Sequence, residues 1–251
     1  MTRWLATALF VAVSFAGAFT LSATAASAPP SLAKACGSTS GLDARSSWLK
    51  TADGVRLYMI EAGSGPTTIV LAHQGRSNLC DTLPYASTLV ANGFRIIAFD
   101  FRGWGHSAYP SRNKIALGRD LAAAVARARQ DGAGHVFLVG ASMGGAAVVQ
   151  NTSSLDVDGR ISLSGTRLWP GFGINHPKSL KRIRAPFLYV GTRSDRRAPL
   201  KEALSIFRKI GARDKRTALY PGSDHGWGLV GEGSFGQRTQ TLILDWLRAR
   251  S

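Results

Sequence analysis

Hydrophobic and polar positions fall into short blocks along most of the chain, and the period of the pattern switches repeatedly. Thr67–Ala72 (TTIVLA), Arg95–Phe99 (RIIAF) and His135–Gly140 (HVFLVG) are brief apolar runs rich in β-branched residues, which predict buried strands. Trp48–Lys50 and Arg56–Glu61 read as strands joined by a turn at Ala52-Asp53-Gly54, and Ile161–Leu163, Pro186–Val190 and Arg216–Tyr220 add three more. Between them the pattern lengthens to a helical period. Helices are expected at Leu83–Asn92 (stopped by Gly93), Ile115–Gln130 (Leu117, Leu121 and Val125 on one face), Met143–Gln150, Pro199–Ile210 and Gln237–Arg250. A hairpin followed by alternating strands and helices implies an α/β class. The expected architecture is a doubly wound, mostly parallel sheet flanked by helices, in a single domain.

The first residues do not share this pattern. Met1–Arg3 is a short positive region, Trp4–Leu21 is uncharged and largely apolar, and Ala23-Thr24-Ala25 offers a small-residue cleavage site. Residues 1–25 are therefore expected to be a secretory signal peptide, which implies a secreted or periplasmic, cell-envelope protein. An uncleaved membrane-anchoring helix is the alternative. Residues 26–45, rich in Ala, Ser, Pro and Gly, read as a flexible linker, and residues 46–251 as the folded domain. Export to an oxidising compartment predicts that the two cysteines, Cys36 and Cys80, form one disulfide.

Composition narrows the function classes. With 45% hydrophobic and 18% charged residues, a chain of 251 residues is too apolar for disorder, and two cysteines are too few for a disulfide-framework miniprotein. Thirty-one basic against 15 acidic residues give a net charge of +16, spread along the chain. No compact Lys/Arg tract or zinc-ligand spacing is present, which disfavours nucleic acid as a partner. Electrostatic association with anionic envelope surfaces is the expected consequence of the charge.

The chemistry lies where one strand meets one helix. Gly140-Ala141-Ser142-Met143-Gly144-Gly145 follows HVFLVG directly and precedes an Ala/Val-rich helix. This G-x-S-x-G-G pattern suits a sharp turn that lifts a serine above the sheet in a strained conformation, with small neighbours avoiding clashes. The turn also aims the N–H of Met143 and the positive end of the helix at one spot, where an oxyanion can be held. A serine nucleophile needs a base, and the base needs an acid to orient it. His225, in Ser223-Asp224-His225-Gly226 after the last strand, belongs to the same sheet edge as Ser142. His135 begins a strand at the opposite edge, and His176 falls in an irregular connection. Asp195, just past the penultimate strand, is the acid on the correct edge. Its structural alternative is an ion pair with Arg193, Arg196 or Arg197. Asp156 and Asp158 precede a strand and belong to the wrong edge, and Asp224 is too near His225 in sequence to reach its far nitrogen easily.

On the chain order Ser142, Asp195, His225 the sequence resembles the α/β-hydrolase superfamily. His73-Gln74-Gly75 after the third strand is similar to that family's HG-type loop. Asp100-Phe101-Arg102-Gly103-Trp104-Gly105-His106-Ser107 is similar to its D-x-R-G-x-G-x-S turn, a mainly architectural feature. The resemblance covers roughly residues 46–250 and implies a Ser-His-Asp esterase or related hydrolase working through an acyl-enzyme. The roughly twenty residues between Leu163 and Pro186 allow one loop or helix but no cap domain. Gln74 or Gly75 would supply the second oxyanion N–H beside that of Met143; Gln74 stands where Gly is usual. No metal or organic cofactor is required by this chemistry. Small-molecule or polymeric esters are the expected substrates, with Trp104, Trp169, Phe172 and Trp227 as possible pocket aromatics. Two other readings use the same fold: an envelope glycan acyltransferase with the same triad, and a non-catalytic binding protein.

Overall fold

In a computed structural model, residues 27–110, 116–150, 152–165, 180–231 and 233–251 are described. Eight strands form one sheet: β1 (Ala44–Lys50), β2 (Arg56–Ala62), β3 (Thr67–Ala72), β4 (Arg95–Phe99), β5 (His135–Ala141), β6 (Gly159–Leu163), β7 (Phe187–Thr192) and β8 (Lys215–Tyr220). Their order is β1-β2-β4-β3-β5-β6-β7-β8. β1 and β2 are antiparallel to their neighbours, and every pairing from β4 through β8 is parallel. The edge hairpin and the mostly parallel sheet are those expected from the sequence.

The helices are α1 (Leu32–Cys36), α2 (Leu83–Ala91), α3 (Leu117–Gln130), α4 (Met143–Gln150), α5 (Leu200–Lys209) and α6 (Gly236–Arg248). Strand periodicity divides the core into two layers. Ile69 and Leu71 point to the side covered by α2 and α6, where Leu83, Leu89, Ile243 and Leu247 are buried. Val70 and Ala72, one residue out of step, meet Leu121, Val125 and Ala128 of α3 and Met143 and Ala147 of α4. A strand buried on both faces cannot alternate with polar residues, which is why TTIVLA and HVFLVG read as continuous apolar runs. Ridding so many side chains of water, at about 25 cal/mol per Å² of apolar area, is the main driving force.

The segment 26–45 departs from the linker reading. Ser27 onward is placed against the domain: Ser31 caps α1 by accepting from the N–H of Lys34, Leu32 and Leu42 are buried in the core, and β1 begins at Ala44. Composition concealed this because the stretch is held by a few scattered anchors, a cross-link and hydrogen bonds from Trp48, Tyr58 and Ser87 to its backbone carbonyls, none of which shows as a periodic pattern. That cross-link is the Cys36–Cys80 disulfide, with Cα atoms 5.5 Å apart. The signal-peptide reading concerns residues outside the described ones, as do the start of the Ile115 helix, Trp169, Phe172 and His176.

Candidate active site

Ser142 sits on the turn between β5 and α4 with φ of 50°, the left-handed region that only a tightly held non-glycine residue occupies. Two hydrogen bonds hold it there. Its N–H donates to Leu163 O at 2.8 Å, and its carbonyl accepts from the Ala146 N–H at 2.8 Å to open the helix. The glycines of the motif are required sterically. A Cβ on Gly140 would stand 2.5 Å from the Gly144 carbonyl carbon, and one on Gly144 would stand 2.3 Å from Ala72 O. Gly144 thus lets the loop after β3 lie directly against the serine turn.

The last strand delivers the histidine. Thr192, at the end of β7, donates its hydroxyl to Asp224 O at 2.8 Å and so ties the loop after β8 to the neighbouring strand. In that loop His225 Nε2 lies 2.8 Å from Ser142 Oγ, and His225 Nδ1 lies 2.6 Å from Asp195 Oδ2. The second carboxylate oxygen, Oδ1, accepts the backbone N–H groups of Arg197 at 2.8 Å and Ala198 at 3.1 Å. Burial works against the ionised form of Asp195. The hydrogen bond from His225 and those from the two backbone N–H groups outweigh it and hold the carboxyl below its ordinary range. The partners of Asp195 are therefore the imidazole and backbone amides, not the side chains of Arg193, Arg196 or Arg197. Asp224 offers His225 nothing but its place in the chain.

The loop after β3 is built around a second histidine. His73 is fully buried, its Nδ1 2.7 Å from Gln74 O and its Nε2 accepting the Phe101 N–H at 3.0 Å. Accepting at Nε2 places the proton on Nδ1, which donates to Gln74 O. Burial pushes its pKa down to about 4, so the ring is neutral and its tautomer is set by the backbone on either side. It clips the Gln74 peptide beside the serine turn. The Gln74 side chain donates from Nε2 to Asp81 Oδ2 at 3.1 Å, and a Cβ on Gly226 would meet its Oε1 at 2.3 Å. Gln74 is thus wedged between the turn after Cys80 and the histidine loop. Asp81 and Thr192 escaped the sequence reading because no motif marks either: Thr192 meets a backbone carbonyl 32 residues on, and Asp81 a side-chain amide seven residues back. The adjacency of Asp81 to Cys80 was its only signal.

The Asp100–Ser107 turn is architectural. Asp100 accepts the N–H groups of Leu79 and His106, both at 2.7 Å, and Arg102 is held by Asp53 and Asp120. His106 packs edge-on against Tyr58. Trp227 is a core side chain beside Tyr85, and Trp104 lies edge-on to His73. His135 pairs with Asp158 at the opposite end of the sheet, as its position at the start of a strand requires. Among the described residues no group of three or more His, Cys, Asp and Glu side chains is arranged to hold a metal ion.

An open groove of about 500 Å³ adjoins the site, lined by Ser194, Asp195, Arg196, Arg197, Ser223 and His225.

Residues 66–171 match the model of a family described as serine aminopeptidase, S33. That span includes the His73 loop, the Asp100 turn and Ser142, and stops short of Asp195 and His225. The uncharacterized protein YfhR of Escherichia coli K12 is 27% identical over 208 residues, covering 69% of this chain and 70% of that protein. The esterase Pf2001 of Pyrococcus furiosus superposes with a TM-score of 0.72 at 13% identity, covering 84% of this chain and 92% of its own. A monoacylglycerol lipase of Paleococcus ferrophilus gives 0.67 at 17% identity, covering 78% and 99%. At these identities the structural likeness is one of fold. Taken with the strand order, it shows that the chain has the α/β-hydrolase fold, and the family model, matching less than half of the chain, adds a likeness to the S33 serine aminopeptidases.

Proposed function

We propose that this protein is an exported serine hydrolase that cleaves carboxylic esters through an acyl-enzyme on Ser142. The observation that carries the reading is His225, whose two ring nitrogens are within 2.8 Å of Ser142 Oγ and 2.6 Å of Asp195 Oδ2 at once. In the mechanism this geometry supports, His225 Nε2 takes the proton of Ser142 as Oγ attacks the ester carbonyl. Asp195 fixes the ring tautomer and stabilises the imidazolium. The N–H groups of Met143 and of Gln74 or Gly75 hold the oxyanion, and one such donor contributes about 3–4 kcal/mol of barrier lowering. His225 then gives its proton to the departing alkoxide, and water activated by the same ring releases the acid.

The matching family is described as one of aminopeptidases, whose substrates present a free ammonium group. A carboxylate is the natural receiver for such a group. The groove beside His225 is lined by Arg196 and Arg197 instead, and its one carboxylate, Asp195, has both oxygens engaged. Esters fit that lining better than N-terminal peptides do. Export, inferred from residues 1–25, and the basic charge favour a substrate at or beyond the cell envelope.

Ser142→Ala tests the reading. Ester hydrolysis and fluorophosphonate labelling should both vanish, with kcat falling by about 10⁴-fold or more and stability nearly unchanged. A variant keeping roughly a tenth of the activity would reject Ser142 as nucleophile. Adding a glycan acceptor to the wild-type reaction separates hydrolysis from acyl transfer by product analysis. Absence of labelling in the wild type would instead favour a binding protein.

A further inference from the structure

The loop Arg193-Ser194-Asp195-Arg196-Arg197 divides its labour between backbone and side chains. Its amides, from Arg197 and from Ala198 just beyond, complete the partners of Asp195 Oδ1. The side chains of Arg196 and Arg197 are exposed and enter no ion pair or hydrogen bond among the described residues. Arg102 is engaged with Asp53 and Asp120, Arg127 with Glu61 and Asp131, Arg129 with Asp158 and Arg250 with Asp214, whereas exposed Arg182, Arg193, Arg208, Arg213 and Arg216 are, like Arg196 and Arg197, without an ion pair among the described residues. Arg196 and Arg197 line the 500 Å³ groove whose wall includes His225. That groove presents two cations and the hydroxyl-bearing Ser194 and Ser223, and its one carboxylate, Asp195, keeps its charge but has both oxygens engaged by His225 and backbone amides rather than by either guanidinium.

The chemistry of the proposed reaction says which half of an ester the groove meets. When the tetrahedral intermediate collapses, the carbonyl carbon to alcohol oxygen bond breaks and the acyl carbon stays on Ser142 Oγ. The proton that His225 took from Ser142 passes to the alcohol oxygen. The alcohol half must therefore sit on the imidazole side of Ser142, and His225, with Asp195, is what the site and the groove share.

Resting on the hydrolase reading above, we propose that the groove receives an anionic group carried on the alcohol half of the ester, with Arg196 and Arg197 as its specificity-determining residues. Planar guanidinium groups are well suited to a carboxylate or phosphate because they can donate in parallel pairs. Both are solvent-exposed, so each pair contributes modestly. The two together should favour an anionic over a neutral ester by roughly tenfold in kcat/KM at low salt. The preference should sit mainly in KM and shrink as salt rises.

The test compares 4-acetoxybenzoate with its neutral counterpart 4-acetoxybenzamide, following release of the phenol at low and high salt. The anionic ester should be preferred by wild type, and the ratio of the two kcat/KM values should fall toward its non-enzymatic value in the double variant Arg196→Gln/Arg197→Gln. These substitutions keep the backbone N–H groups that hold Asp195. The double variant Arg208→Gln/Lys209→Gln removes the same charge from a separate hollow, lined also by Lys181 and Arg184, and should keep the wild-type ratio. Equal loss of the ratio in both double variants would make the preference a field of the whole protein and overturn the groove assignment. Hydrolysis of both esters without preference overturns this inference alone, whereas hydrolysis of neither overturns the hydrolase reading and this inference with it.

Discussion

The sheet carries a His–Asp pair at each end. At the carboxyl end of the parallel strands His225 and Asp195 meet at 2.6 Å with side chains only 9% and 2% exposed. At the amino end His135 and Asp158 meet at 3.2 Å with 40% and 29% exposed. In both pairs burial raises the carboxyl and hydrogen bonds bring it back below its ordinary range, so the direction of the shift does not separate them. What separates them is the rest of each group's partners. Asp158 also serves Arg129 and the Val136 N–H, and the far nitrogen of His135 has no partner among the described residues. The far nitrogen of His225 is on Ser142. Identical residue types make a surface brace in one place and a buried Asp–His–Ser hydrogen-bonded chain in the other. The decisive difference is whether the second ring nitrogen is aimed at something that can lose a proton.

The largest expected effect breaks the comparison if it fails. Asp195→Asn should lower kcat by about 10⁴-fold, because the imidazole would settle in the wrong tautomer and its charged form would lose support. Asp224→Asn, measured on the same activated ester, should leave most activity in place. A dead Asp224→Asn beside a fast Asp195→Asn would move the acid and undo the pairing described above.

The second effect falls on the same end of the sheet, through the covalent link that holds α1 beside the turn carrying Asp81. Replacing Cys36 and Cys80 together by Ala should cost roughly 3–4 kcal/mol of stability, because the bond closes a loop across a separation of 44 residues. Chemical denaturation reads the loss directly, and non-reducing peptide mapping of the wild type should find the two cysteine peptides linked.

His73 supplies the third. Its pKa is depressed from an ordinary 6.5 to about 4 by burial, so the unfolded chain takes up a proton before the folded one does. The stability it contributes is present at neutral pH and is lost as pH falls from about 6.5 toward 4. Between pH 7.5 and 4.5 that loss is roughly 2.5 kcal/mol. His73→Gln keeps an acceptor for the Phe101 N–H, and the difference in pH dependence between wild type and variant isolates the histidine. Equal slopes would mean that the ring is solvated.

The smallest effect sharpens the contrast from the other side. Asp158→Asn should cost only about 1 kcal/mol of stability and leave kcat unchanged, since a part-exposed ion pair is worth little. A large fall in turnover there would show that the two ends of the sheet are coupled.

Much of the fold was legible because the sheet is buried on both faces. Continuous apolar runs such as HVFLVG have few other uses, and the expected strands from Arg56 to Tyr220 match the observed ones to within a few residues. The arm from Ser27 to Asp43 was not legible. Its Ala/Ser/Pro/Gly composition is that of a linker, and its attachment depends on Leu32, Leu42 and Cys36 finding partners remote in sequence. Thr192 and the clip made by His73 were hidden for the same reason, whereas Asp81 meets Gln74 seven residues away through a side-chain contact that no periodicity encodes.

From the chain alone came the element order, the edge of the sheet to which each loop belongs, and so the short list of Ser142, Asp195 and His225. These follow from local periodicity and from the rule that successive parallel strands leave the sheet at the same end. The tertiary structure alone decided which side of Asp195 meets the imidazole, that backbone amides and not guanidinium groups hold its other oxygen, and that Arg196 and Arg197 are left facing a groove. Hydrogen bonds 30 and 83 residues long in sequence are set by angstrom-scale placement of separate strands. No pattern within a window of ten or twenty residues carries that information.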